Sequence, residues 1–187
     1  QWLVDSYGAE LGRPLHILAD AVRSFIWAAP GKVLLDADYA SIEGRAAAWF
    51  AREDWKMQAY RELDAGHGYD MYKQAAAPIY NVPVAEVTKQ QRQVGKVAEL
   101  ALGYNGGVGA LSKMARMNKL KLGSVYQPVW ESAPIERREA AMERLEERKG
   151  KNDPAVKELG DEAWISAELI KVGWRAANPK ITAAWAE

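Results

Sequence analysis

The stretch 88–107, TKQQRQVGKVAELALGYNGG, restricts the fold of this chain more than any other. Thr88 and Gln91 stand at capping-box spacing, where each side chain satisfies a backbone N–H that a helix start leaves open. No proline or turn pair interrupts the run before Asn105-Gly106-Gly107. The pattern predicts a helix over about 88–104. Arg92, Lys96, Leu100 and Tyr104 recur every fourth residue and line one slowly drifting stripe. Two cations, an apolar residue and a ring, in that order, make a surface suited to gripping a triphosphate and stacking a base. Taken alone, Arg92 and Lys96 read as ordinary exposed helix cations.

A second stretch, Val33 to Arg45, reads VLLDADYASIEGR. Val33, Leu34 and Leu35 suit a short buried strand, bounded upstream by the turn pair Pro30-Gly31. Asp36 and Asp38 lie two apart and share a face if the strand continues to Asp38. From Ser41, a candidate N-cap, the period becomes helical, with Ile42, Ala46, Trp49 and Phe50 as the expected buried face. The segment thus predicts strand, acidic tip and helix. A carboxylate at a strand end is placed to hold a divalent metal; the alternative is a strand ending in solvated acids.

The chain has 187 residues, enough for one sizeable core or one and a half small ones. It has no cysteine, so disulfides and thiolate metal sites are excluded, in keeping with a cytoplasmic protein. No leader and no apolar run near the roughly 20 residues of a membrane helix stands out, so no membrane partner is expected. Net charge is zero, which argues against nucleic-acid binding until the charge is mapped along the chain. From Glu86 to Lys121 seven cations face two acids, a local +5, whereas from Glu131 to Glu162 ten acids face seven bases, a local −3.

The two stretches together, in this order and some fifty residues apart, resemble the family A DNA polymerases. Asp38-Tyr39-Ala40-Ser41-Ile42-Glu43-Gly44-Arg45 is similar to motif A of the palm, usually close to DYSQIELR. Arg92, Lys96, Leu100 and Tyr104 match the O helix of the fingers, R-x3-K-x3-F/Y-x3-Y-G, and the wording GKVAELALGY resembles bacteriophage and prophage members. The resemblance implies an α+β, predominantly α-helical piece: a palm edge over 1–53, and fingers over 54–187 with a charged helical insertion at about 123–160. It implies template-directed DNA synthesis on primer-template DNA with deoxynucleoside triphosphates. The compartment it implies is the host bacterial cytoplasm.

The same resemblance implies roles for single residues. Asp38 and the Tyr39 carbonyl would bind two Mg2+ ions, and Lys96 would add proton donation to phosphate binding. Arg92 and Lys96 would hold the triphosphate, while Leu100 and Tyr39 would border the nucleotide. Glu43 would block a ribose 2′-hydroxyl. Tyr104 would stack near the templating base, and Arg23, fifteen residues ahead of Asp38, would touch primer-template; Arg23 reads equally as a solvated helix arginine. Two departures stand out. Leu100 replaces the family's ring, and in Asp70-Met71-Tyr72 a tyrosine replaces the phosphate-touching histidine of the DIH segment. The family's second metal motif, an HDE-type hairpin, has no counterpart here, so the piece is expected to be catalytically silent until the remainder of the palm and thumb joins it in cis or in trans. A non-catalytic nucleotide- or DNA-binding remnant is the alternative.

The other segments read as follows. His16 to Trp27 predicts a helix, and Glu53-Asp54 opens another through Leu63. Tyr69 to Ala77 predicts a helix that Pro78 kinks or ends. Asn105 stands where the family has glycine and can keep the left-handed turn. Ala110–Asn118, the charged Glu136–Lys151 and the amphipathic Asp161–Ala177 predict three further helices. Ser124 to Val129 is the one other strand candidate. Trp49, Trp164, Trp174 and Trp185 are read as core.

Overall fold

The computed structural model describes residue 18 and residues 21–186. The irregular lead-in expected over 1–14, His16 and the start of the helix expected at 16–27 lie outside these, as does the side chain of Arg23. The chain divides into two units, Gln1–Ala40 and Ser41–Glu187.

Among the described residues of the first unit a 3-10 turn, Val22–Phe25, is followed by irregular chain. Pro30 and Gly31 form the expected turn, closed by Lys32 N–H donating to the Ala29 carbonyl at 2.9 Å. The strand expected over Val33 to Asp38 is absent. This segment is irregular, with Val33 80% and Leu35 93% exposed. β-branched residues favour a pleated surface only when neighbouring strands take up the backbone N–H and C=O groups. Among the described residues there is no strand to do so, and the α+β expectation reduces to a helical fold.

The second unit is helical throughout. Its elements are α1 (Ile42–Phe50), α2 (Asp54–Asp64), α3 (Met71–Tyr80), α4 (Lys89–Leu102), α5 (Val108–Met117), α6 (Tyr126–Ser132), α7 (Ile135–Gly150), α8 (Pro154–Leu159), α9 (Asp161–Ala177) and α10 (Pro179–Ala184). The strand candidate at 124–129 is instead a 3-10 turn, Leu122–Val125, running into α6. Val125 and Val129 are four apart and both buried, so a helical period satisfies them as a strand would not.

The core is built on α9. Trp164, Ile165, Ala167, Leu169, Ile170 and Trp174 are buried against α3, α4 and their neighbours. The tightest pair is α3 with α4. A Cβ at Gly95 would lie 2.0 Å from the Tyr72 carbonyl oxygen, so only glycine lets these two backbones meet. α4 begins as expected: Thr88 accepts from Gln91 N–H at 3.2 Å and Gln91 Oε1 accepts from Thr88 N–H at 2.9 Å. The α3 helix runs through Pro78 and ends two residues later at Tyr80, with Asn81 after it at φ 51°. The ring forfeits the N–H bond that residue 78 would give to the Gln74 carbonyl, and the helix goes on for only two more residues.

A smaller cluster, Ala48, Ala59, Tyr60 and Met71, joins α1, α2 and the start of α3. Here the expected face is reversed: Ile42, Ala46, Trp49 and Phe50 are exposed, and Ala48 is buried. α1 packs on α2 through its small residues, because they let the two helices approach, and its large side chains point away. Ser41 precedes α1 with φ 56° and makes no capping bond through its side chain. Trp49, 72% exposed, and Trp185 are likewise not core, whereas Trp164 and Trp174 are.

Candidate functional site

The stripe on α4 forms as its period requires. Arg92, Lys96 and Leu100 are half-buried on one side of the helix, while Val94, Val97, Ala98 and Ala101 face the core. α4 ends at Leu102, so Tyr104 stands just beyond it, exposed in the turn whose next residue, Asn105, takes φ 59°. Tyr104 is held from one side by Trp185, with ring centroids 6.0 Å apart. Trp185 is fixed in turn by its indole N–H, which donates to the Gly103 carbonyl at 2.8 Å.

Arg92 is oriented by the start of α3. Asp70 caps that helix, its Oδ1 accepting from the N–H groups of Tyr72 and Lys73. Its other oxygen accepts from Arg92 Nη2 at 2.8 Å, and the guanidinium lies 5.1 Å from the Tyr72 ring centroid. The segment in which a tyrosine stands for the family's histidine is therefore packed against Arg92. The signal for this was present in the sequence: Asp70 opens a helical run as an N-cap, but only packing shows which cation takes its second oxygen.

Glu43, in the first turn of α1, bears on Tyr104 through its charge. The Tyr104 phenol is raised above its ordinary value first by partial burial and then by the Glu43 carboxylate. Two residues on, Arg45 forks both its nitrogens onto Asp64 at 2.8 and 2.7 Å and lies 4.5 Å over the Tyr60 ring. That bond holds the Asp64 carboxyl below its usual range. So Arg92, Lys96, Leu100, Tyr104 and Glu43 belong to one unit, with Tyr72, Asp70 and Trp185 as additions the sequence reading did not assign.

Asp38 and Tyr39 stand on the irregular exposed segment of the other unit. Among the described residues no three acids or histidines gather into a group able to hold a metal ion. The donor set here does not by itself fit two Mg2+ ions. A cavity of about 650 Å3 bounded by α5, α7, α8 and α9 lies apart from the stripe. Three of its four cations are already paired, Arg144 and Lys171 with Glu168 and Arg148 with Asp153.

Comparison with known proteins gives the family. The DNA polymerase family A model matches residues 16–126, more than half of the chain, and the chain belongs to that family. It is 39% identical over 109 residues to the DNA polymerase of Bacillus phage SP02, covering 57% of this chain and 16% of that protein. Over 92 residues it is 33% identical to the DNA polymerase I of Pseudomonas aeruginosa, covering 49% of this chain and 10% of the other. Over 152 residues it is 27% identical to the DNA polymerase I of Aquifex aeolicus, covering 81% and 23%. The chain thus spans less than a quarter of the length of these relatives. Among the described residues no helix is long and apolar enough to cross a membrane.

Proposed function

We propose that this chain supplies the nucleotide-gripping fingers and the motif A edge of the palm for template-directed DNA synthesis. The division is a palm edge over 1–53 and fingers over 54–187. The observation that supports it best is the row Arg92–Lys96–Leu100 on α4, which leads to an exposed Tyr104.

In this reading Arg92 and Lys96 bind the triphosphate, the first through its planar fork and the second as a point charge. Lys96 also gives a proton to the departing pyrophosphate in this reading. Leu100 and Tyr39 border the nucleotide, Glu43 excludes a 2′-hydroxyl, and Tyr104 stacks near the templating base with Arg23 on primer-template DNA. Asp70 restrains Arg92 until an anion of higher charge competes for it. Family A polymerases use divalent metals, and Asp38 with the Tyr39 carbonyl is this chain's contribution to such a site. The remaining donors are not among the described residues, and the steps assigned here are those of the side chains alone.

The test is calorimetric titration with a deoxynucleoside triphosphate. Arg92→Ala and Lys96→Ala should each weaken binding by about 1.5 to 3 kcal/mol, the worth of a charge-assisted hydrogen bond. Unchanged affinity in both variants would remove α4 from this role.

A further inference from the structure

Lys56, in the middle of α2, is 2% exposed. Its ammonium lies 2.5 Å from Glu99 Oε1, donates to Asn178 Oδ1 at 3.2 Å and sits 5.1 Å from the Trp174 ring centroid. The other Glu99 oxygen accepts the Trp174 indole N–H at 2.9 Å, and Asn178 Nδ2 donates to the Trp174 carbonyl at 2.8 Å. Both oxygens of Glu99 are therefore committed inward. Replacing a buried ion pair with apolar residues of like volume often leaves a fold as stable or more so, so stability alone does not account for Lys56 here.

The position of Glu99 on α4 accounts for it. Glu99 follows Lys96 by three residues, a spacing at which an acid and a cation pair along a helix surface. Trp174, 1% exposed, needs an acceptor for its N–H, and Glu99 supplies it. A carboxylate tied only to that indole would still have an oxygen free to turn towards Lys96. Lys56 takes that oxygen, and Lys96 forms no ion pair among the described residues.

We propose that Lys56 is a positioning residue for the triphosphate site, one that holds the Glu99 carboxylate inward and so leaves the Lys96 ammonium to a phosphate. The inference rests on the reading of Arg92 and Lys96 as triphosphate ligands and adds two residues to it, neither of which touches the nucleotide.

The experiment titrates the chain with inorganic tripolyphosphate and with a deoxynucleoside triphosphate, with far-UV circular dichroism to confirm folding. Lys56→Met should lower affinity about tenfold, and Lys56→Met/Glu99→Gln should return it to within about twofold of the parent. The decisive measurement is the effect of Lys96→Ala in two backgrounds. It should cost more than about tenfold in the parent and less than about twofold in Lys56→Met, where Glu99 already occupies Lys96. A purely architectural Lys56 would leave the Lys96→Ala cost undiminished in Lys56→Met, and that result would overturn the proposal. Should Lys56→Met not fold, Glu99→Gln decides. Affinity within about twofold of the parent supports an inward Glu99, whereas a rise of about tenfold would show Glu99 already screening Lys96. If Arg92→Ala and Lys96→Ala weaken binding in the parent but Lys56→Met does not, the inference alone is lost. If the parent binds no triphosphate, the reading beneath it is lost as well.

Discussion

Tyr60 shows how much of this site depends on one atom. Its hydroxyl fills the space a side chain at Gly44 would need, since a Cβ there would lie 2.3 Å from it. Burial first, and the Glu99 charge second, push this phenol above its ordinary value of 10.0. A group whose folded value is raised stabilises the fold fully below its unfolded value, and that contribution is lost as pH rises through the folded value. Resistance to urea should therefore fall from about pH 10 upward, and Tyr60→Phe should flatten that fall. Tyr80, also raised by burial, retains its own share of the slope in the variant. Urea midpoints taken at pH 8 and above pH 10 measure the difference, and an unaltered alkaline slope in Tyr60→Phe would count against a buried neutral phenol here.

At the scale of elements, the contact between α3 and α4 decides whether the stripe works as a unit. Gly95 lets the Tyr72 carbonyl lie where a Cβ would otherwise stand, and one turn away Asp70 reaches Arg92 at 2.8 Å. Gly95→Ala would place a carbon 2.0 Å from that carbonyl, a backbone atom that cannot rotate aside. The helices must part, and overpacking of this kind costs about 1–3 kcal/mol. Chemical denaturation should show that loss of stability, together with faster amide exchange at the start of α3 as Asp70 is drawn from Arg92. A midpoint equal to the parent's would mean that the two helices separate at no cost.

For the whole molecule, the large apolar side chains of 25–50 are the unresolved account. Phe25, Trp27, Leu35, Trp49 and Phe50 are all exposed, a density that the helical unit does not repeat elsewhere among its described residues. Exposed apolar side chains of this size, in either unit, are a common mark of a protein–protein contact surface. The chain spans less than a quarter of its polymerase relatives, and Asp38 lies within this stretch. Adding the remaining palm and thumb of a family A polymerase in trans should produce magnesium-dependent primer extension, and Asp38→Asn should abolish it. Extension by the chain alone would contradict the need for outside donors. A soluble, bound complement without activity would favour a nucleotide-binding role without chemistry.

Local rules were enough for α4. Its capping box and the order of Arg92, Lys96 and Leu100 follow from backbone N–H groups and a 3.6-residue period, which do not depend on distant parts of the chain. The same holds for α9, for Asn105 in its left-handed turn and for the family itself, carried by two short motifs. Where the outcome depended on a partner, the sequence was insufficient. Val33 to Asp38 had the composition of a strand but, among the described residues, no neighbour to bond with. α1 had two possible faces, and close approach to α2 selected the small one over Trp49 and Phe50. Lys56 carries no local mark that sets it apart from the other helix lysines. Only the convergence of α2, α4 and α9 buried it on Glu99, because burial and pairing are set by what lies opposite in space and not by what lies next in the chain.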